Sequence, residues 1–553
     1  MSLASLDLTN ESTLDAQVCI VGAGAAGITL ACELDGSEFN VLLLEAGGLK
    51  PDDDLADYYR GTATSPHSNP TEFRRAKFGG TTGIWGGRCV PFDPVDLEPR
   101  EYVPNSGWPI GYEDLAGYYP DAMRYCDAGH FDFSLKGSLR SPVPTIDGFE
   151  GQGPAGTDVV LADRIERYSL PTDFGRRYRK KIEASQNVKA LVGARCLRLV
   201  KSAGGERIEA AEVVDRAGRK RRIRAEVFVL ATGGIEVPRL LMLSDPEGAG
   251  LGNAGDCLGR YYMCHFENTA GRVVPHGAKV AFDFERTTDG VYCRRQLRFT
   301  PEALERHRLL NMAFRLHFPS YSDATHGSAV MSTIYLAKST LIPEYRAILE
   351  ANAETPASPT PAHVRNVLMG LPQLARFAAD YVFRIRLARR KLPYTLVPNA
   401  DGTYPLEFNS EQIPERENRV TLSEEVDRHG LRRVHIDWRL SESDADSACR
   451  GYQLLRETFG RSGVCRLEFD ETQLRDRIRR SVPLGGHHMG TARMGTSERN
   501  GVVDSNCAVF GVPNLYIASS AVFPTSGYAN PTLTIVAMAL RLAAHLRTQY
   551  PGR

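Results

Sequence analysis

The sequence has no net charge. Its 67 Lys and Arg residues balance 67 Asp and Glu residues. Electrostatic binders of nucleic acid or anionic membrane carry a basic excess, so neither partner is expected. Long apolar runs are also missing, and with them any stretch that would span a bilayer. The N-terminal segment MSLASLDLTNESTLD is polar and acidic. It has no basic region followed by an apolar core and no twin arginine, so no export signal is expected and a cytoplasmic location is. Paired cysteines are the third absence. Eleven cysteines are scattered with no C-x-x-C pair, which fits free thiols in a reducing compartment better than disulfides or a zinc site. His265, His276, His317 and His326 share no metal-ligand spacing. No metal is expected, and each reads as a surface or satisfied core histidine.

At 553 residues, 42% hydrophobic and 24% charged, the chain has ordinary globular composition and is too long for one core, so two large domains are expected. The organising stretch is QVCIVGAGAAGITLACELDGSEFNVLLLEAGG, residues 17–48. It reads as strand, tight turn, helix, strand. Gly22, Gly24 and Gly27 fit G-x-G-x-x-G: the first allows the turn, the second lets backbone approach a pyrophosphate, and the third lets helix and sheet close up. Ala25 and Ala26 open the helix, whose amino end carries unpaired N–H groups and a partial positive charge. The second strand, Val41 to Leu44, ends in Glu45 and Ala46. An acid there can accept hydrogen bonds from ribose hydroxyls and would repel a 2′-phosphate. These residues imply a dinucleotide and leave FAD and NAD both open.

Further along, FGGTTGIWGGRCVPFDP packs five glycines into nine residues and exposes backbone donors at low steric cost. Ile84 and Trp85 in its middle predict burial. Glu113 to Tyr119 reads as a short amphipathic helix. Val188–Val192, Leu197–Leu199 and Val227–Leu230 read as strands, the last turning through Ala231-Thr232-Gly233-Gly234 into a helix. From about 271 to 480, alternating runs such as 296–299 and 328–336 predict antiparallel strands. Residues 354–362 (ETPASPTPA) read as a linker. A helical pattern follows over 364–391, with Pro372 as a kink and a basic end, RIRLARRK. Such a helix either lies on a membrane or shows a solvated basic face, and the second is expected. A hairpin is expected through Val434–Trp438. Near the C-terminus, Leu515–Ala518 reads as a buried strand. Pro531–Leu546 reads as a helix with Pro in its first turn and Asn530 as N-cap.

The fingerprint, the glycine-rich loop and the C-terminal segments GGHHMGTARMG and YANPTLT together resemble the glucose–methanol–choline (GMC) family of FAD-dependent oxidoreductases. The ending is most similar to the branch of pyranose oxidases and related sugar oxidoreductases. The resemblance implies an α/β (α+β overall) fold: a Rossmann-like FAD domain over 1–95, 185–270 and 484–553, and a substrate domain on a large antiparallel sheet over 96–184 and 271–483. It implies FAD contacts at Gly80, Thr82, Gly83, Ile84, Trp85, Cys196, Ala231, Ser520, Pro531 and Thr532, besides the fingerprint residues. Some family members attach FAD through a histidine in the glycine-rich loop. Ile84 stands at that position and cannot form the bond, so non-covalent FAD is expected. His487, three residues before Gly490, matches the catalytic histidine, and Asn530 matches its partner. Glu411, Gln412 and His488 are candidate substrate contacts. The expected reaction is oxidation of a sugar, glycoside or polyol hydroxyl, with oxygen, a quinone or a redox protein taking the electrons. An imidazole titrates near neutrality and suits removal of the hydroxyl proton; an amide beside it supplies an uncharged donor to the developing alkoxide. The alternatives are a flavin-containing lyase of the hydroxynitrile lyase kind and an oxidase of a non-sugar alcohol.

Overall fold

The computed structural model describes residues 3–6, 12–51, 57–151, 158–341, 346, 349, 357–481, 483 and 486–550. Apolar runs of β-branched and leucine side chains make strands buried on both faces, and these pair in parallel. In spatial order they are Val188–Val192, Val41–Glu45, Thr13–Val21, Lys220–Leu230 and Val512–Ile517. Leu3–Ser5 adds parallel to one edge, Ala508–Val509 antiparallel to the other, and Arg195–Lys201 and Ile208–Val214 extend from Lys220–Leu230. The strand order reverses direction beside Thr13–Val21. In open α/β sheets a ligand binds in the crevice at that point, off the carboxyl ends of the strands.

The second sheet has eight strands, all paired antiparallel, in the order 465–468, 266–275, 404–410, 312–316, 292–299, 160–168 and 88–89, with 285–286 on the side. Its period-two alternation sorts the side chains. Phe266, Leu297, Phe299, Phe314, Leu406 and Phe408 form one face, packed beneath the long helix Glu442–Ser462. That helix starts at a capping box, with Ser441 and Asp444 each bonding the other's backbone N–H. The opposite face carries Arg294, Arg315, Glu407 and Glu267 and looks toward the first sheet.

Several expectations are corrected. Residues 329–336 are a helix, not a strand: Ser328 Oγ caps it from Met331 N at 3.3 Å, and it packs on the helix Thr360–Met369. Residues 113–119 are not one helix but the start of two short ones, Glu113–Ala116 and Tyr119–Cys126, with Pro120 in the first turn of the second. The linker lies partly outside the described residues, and Thr360 already opens a helix. Pro372 does not kink a continuous helix. The chain breaks at Gly370, and Pro372 falls in the first turn of Leu371–Asp380, where its missing N–H costs nothing. The basic end leaves regular winding at Arg386. All eleven cysteines are free. Among the described residues no helix is long and apolar enough to cross a membrane.

Glu411 and Gln412 do not reach the crevice. Both are fully buried and hold elements together. Glu411 takes a bidentate ion pair from Arg100 at 2.8 and 2.5 Å and a bond from Asn311 N at 3.1 Å. Gln412 Oε1 accepts from Cys264 N and Trp438 Nε1, and Nε2 donates to the Arg439 carbonyl. Their sequence position beside the hairpin gave no hint of these partners, which come from remote loops. Removing one partner of a buried ion pair strands the other charge. Glu411→Ala is therefore expected to cost about 3–5 kcal/mol, read as a lowered thermal unfolding midpoint. An unchanged midpoint would contradict this role.

Candidate functional site

A cavity of about 1460 Å³ opens along the carboxyl ends of the parallel strands and runs beneath the polar face of the antiparallel sheet. Gly22, Gly24, Ala25, Ala26, Glu45, Ala46, Gly80, Thr82, Ile84, Trp85, Cys196, Ala231, Ser520, Pro531 and Thr532 all line it. So do His487, His488 and Asn530.

The glycines act as their positions require. Gly22 sits at φ +107°, and a Cβ there would meet the Ala231 carbonyl oxygen at 2.6 Å. Gly27 faces away from the cavity, and its Cβ would fall 1.9 Å from the Gly22 oxygen. Helix and turn are in contact because neither residue has a side chain. At Gly24 nothing lies within 4 Å of an added Cβ, which would project into the cavity. The helix Ala25–Leu34 begins there with no side-chain cap, leaving its first N–H groups for an anion. Glu45 is buried; its two oxygens accept from Ala23 N at 3.0 Å and Gly47 N at 2.8 Å. Burial pushes its carboxyl up to about 7, opposed by those two N–H groups.

The glycine-rich loop is pinned. Gly79 N donates to the Ala23 carbonyl at 2.8 Å. Thr82 Oγ1 donates to the Gly79 carbonyl at 2.6 Å and accepts from Phe174 N at 3.0 Å. Gly83 points away from the cavity, toward the buried Lys77–Asp173 ion pair. Trp85 is partly buried and anchored through Nε1 to the Thr172 carbonyl at 2.7 Å. Ile84 is not buried as expected: it is 41% exposed, on the cavity wall.

Asn530 is not an N-cap. The helix runs Thr532–Gln549 with no side-chain cap. The Asn530 amide instead turns to His487, with Nδ2 2.8 Å from Nε2. On its other side His487 meets a residue the sequence reading passed over: Nδ1 lies 3.0 Å from Nδ1 of His265. His265 is fully buried, with Nε2 3.1 Å from the Ser526 carbonyl oxygen. His265 is the satisfied core histidine that was expected, both ring nitrogens partnered, but one of its partners is His487. His276 is exposed, as expected; His326 is buried with Nδ1 accepting from Ser328 N, but its Nε2 has no partner among the described residues. His317 lines the cavity near Glu407. Burial holds His487 well below the usual imidazole range, helped by His265, Arg88 and His488.

His488 belongs to a second run of hydrogen bonds. Its Nδ1 is 2.6 Å from the Tyr262 hydroxyl, which is 2.8 Å from His67 Nε2. No amide stands beside its Nε2, so the Asn530 contact singles out His487.

Glu267 was also missed. It lies two residues after His265, in the strand Phe266–Pro275, and lines the cavity. Among the described residues its carboxylate has no hydrogen-bond or ion-pair partner, and burial and then Glu407 raise its pKa. Its neighbours on that face are paired: Arg315 bonds Glu166 at 2.7 Å, and Arg294 approaches Glu407 at 3.5 Å. An acid spaced by two from a histidine in an alternating strand was the only sequence signal for it.

Residues 414–539 match the GMC oxidoreductase family. That match takes in both His487 and Asn530. The chain is 24% identical to paromamine 6′-oxidase of Streptomyces fradiae over 95% of this chain and 90% of that one. It is 22% identical to the fructose dehydrogenase large subunit of Gluconobacter japonicus over 97% and 98%. Its fold is similar to that of pyridoxine 4-oxidase from Mesorbium loti, with a TM-score of 0.51, 18% identity and coverage of 96% and 99%. The cofactor of these oxidoreductases is FAD, and the cavity fits it. The open side of Gly24 and the uncapped helix suit a pyrophosphate. Five buried atoms without partners, Arg195 Nη1, Thr232 Oγ1, Thr395 Oγ1, His488 Nε2 and Asn530 Oδ1, belong to cavity-lining residues and suit a polar ligand.

Gly24 and Gly27 separate binding from folding. Gly24 has φ −81°, which valine tolerates. Gly24→Val is expected to fold and to weaken FAD binding by about 1–3 kcal/mol, roughly 5- to 150-fold in Kd, through overpacking. Gly27→Val should fail to fold. Fluorescence titration of the apoprotein with FAD checks the first, and equal folded yields of the two variants would refute the distinction.

Proposed function

We propose that the chain is an FAD-dependent oxidoreductase that converts a hydroxyl group of a sugar, glycoside or polyol-like compound to a carbonyl, with His487 as general base. The observation that carries the reading is the His487–Asn530 pair on the wall of a cavity continuous with the dinucleotide cradle. The glycine turn and the uncapped helix would hold FAD, which would supply the hydride acceptor for the substrate carbon.

The residues divide the remaining work. A neutral His487 accepts the hydroxyl proton, and its lowered pKa keeps it unprotonated across the neutral range. The Asn530 amide N–H, already beside Nε2, can shift to the developing alkoxide without adding charge. Glu267 offers two free acceptor oxygens to substrate hydroxyls, while Arg88 and His317 on the same wall give the site donors as well. A polyhydroxylated substrate, donor and acceptor at every hydroxyl, matches a wall of mixed sign. The fructose named for one relative is of this kind.

The proposed organisation assigns 1–95, 185–270 and 484–553 to cofactor binding, and 96–184 and 271–483 to the substrate. Every strand of the parallel sheet falls in the first set, and the strand Phe266–Pro275 crosses the boundary. Ile84, an alkyl side chain, supports FAD held without a covalent bond. Denaturation should then release all of the yellow colour into solution.

The deciding experiment is anaerobic absorbance of the holoprotein mixed with D-fructose, D-glucose, paromamine and simple alcohols. Bleaching by a sugar or glycoside is expected; a flavin that none of them bleaches counts against the proposal. With the bleaching compound, His487→Ala should slow flavin reduction by about 10²- to 10⁴-fold. His488→Ala should act less, and the reverse order would move the base to His488. The acid limb of the reduction rate should fall below pH 6.5, because protonation that removes the base occurs only under the lowered pKa.

A further inference from the structure

The Ser526 carbonyl oxygen can only accept a hydrogen bond. At 3.1 Å from it, Nε2 of His265 must carry the hydrogen. A neutral His265 then has a bare Nδ1, and the facing nitrogen 3.0 Å away, Nδ1 of His487, must supply the hydrogen between them. His487 therefore carries its hydrogen on Nδ1, and its Nε2 is bare. That is the nitrogen beside Asn530, and an accepting Nε2 calls for the amide Nδ2 that stands there. One main-chain oxygen thus sets, through two rings, which nitrogen of His487 is free.

We propose that His265 is a positioning residue that holds His487 in the Nδ1–H tautomer, so that the Nε2 lone pair, which meets the Asn530 amide in this structure, is the one that accepts the substrate hydroxyl's proton. The proposal rests on the reading of His487 as base. The proton balance is simple. Nε2 takes the hydroxyl proton and His487 becomes an imidazolium, while its Nδ1–H stays and donates to His265 as a stronger, charge-assisted bond. His265 does not take that proton: it is fully buried away from the cavity, whereas His487 lines the cavity beside the developing alkoxide. Burial already holds its pKa down to about 4, with Arg88 pressing the same way and Ser526, Gly527 and Glu411 opposing. The groups facing the pair are Arg88, His488 and Glu411. Without His265, an isolated imidazole is free to place its hydrogen on Nε2, and that form cannot accept a proton there.

Two conservative variants separate this role from packing. The Asn side chain reaches about where Nδ1 sits, so His265→Asn keeps an acceptor for His487 but loses the bond to Ser526. The Gln side chain reaches about where Nε2 sits, so His265→Gln keeps the Ser526 bond but loses the acceptor. Positioning predicts that Asn stays within about fivefold of wild type in anaerobic flavin reduction while Gln falls by about 10- to 1,000-fold. A structural role predicts the opposite order. The second readout is nitrogen NMR of the ring in holoprotein labelled with [¹⁵N]histidine, the His487 signal assigned by its loss in His487→Ala. Nδ1–H is expected in wild type and His265→Asn, and the Nε2–H form should appear in His265→Gln. His487 found as Nε2–H in wild type, or Gln equal to or faster than Asn, would overturn the proposal. The NMR arm needs no substrate, so it decides the tautomer even if no compound bleaches the flavin.

Discussion

Two main-chain hydrogen bonds bring the site together. The Ala231 N–H donates to the Val21 carbonyl at 2.7 Å, and the Ala518 N–H donates to the Leu230 carbonyl at 2.9 Å. They end three parallel strands at one level, from segments near residues 20, 230 and 517. Everything that touches the cofactor region leaves those strand ends. The glycine turn follows the first and Ala231–Gly234 the second. The third leads into Ser520, the Ser526 carbonyl and Asn530. Main-chain pairing of apolar strands tolerates many side chains, but it fixes the height at which each strand stops. A one-residue slip would turn every buried side chain to the wrong face and move one wall of the crevice.

Sidedness is the second constraint. The antiparallel sheet covers the cavity with its charged face because its other face is consumed by phenylalanines under the helix Glu442–Ser462. Burying charges is costly unless each is paired. The sheet meets this by pairing: Arg315 with Glu166, and Arg294 and His317 close to Glu407. These pairs hold the Glu407 carboxyl well below the usual range. Among the described residues Glu267 is left out of that pairing, and an unpaired acid in so desolvated a place is a standing cost that hydroxyls of a bound ligand would offset. The same desolvation keeps His487 neutral. One physical condition, exclusion of water, thus supports both the proposed base and the proposed recognition of a substrate.

Much of this was legible in the sequence where function depends on local patterns. Gly22, Gly24 and Gly27 with Glu45 disclose a dinucleotide cradle because each acts over a few residues of chain. His487 and Asn530 are legible only through family resemblance, since 43 residues separate two atoms that stand 2.8 Å apart. Local reasoning favoured the wrong role for Asn530. A polar residue before a proline-started helix is an ordinary cap, and only tertiary contact shows the amide turned away from the helix. The strand expected over 328–336 failed for the converse reason. Its apolar residues alternate loosely enough to fit either period, and a serine cap with a neighbouring helix decided the matter. Glu411 and Gln412 were misplaced because their partners, Arg100 and Trp438, lie on remote segments.

His265 marks the limit of such reading. It sits in no motif, and its importance comes from a carbonyl 261 residues away in the chain. Compare the parallel arrangement at His488. There the Ser68 carbonyl at 2.7 Å fixes His67, the Tyr262 hydroxyl carries the constraint on, and His488 is left with a bare Nε2. Both adjacent histidines are thus oriented by a main-chain oxygen, through one intervening side chain for His487 and two for His488. They differ in what meets the bare nitrogen: an amide donor for His487, nothing for His488. A lone pair next to a donor that can follow the charge onto an alkoxide is equipped for proton abstraction. A buried lone pair with no partner is equipped to receive a fixed hydrogen bond from a bound ligand. Adjacent, chemically identical residues therefore take different roles because of a single amide, and the choice between them rests on Asn530 rather than on the histidines themselves.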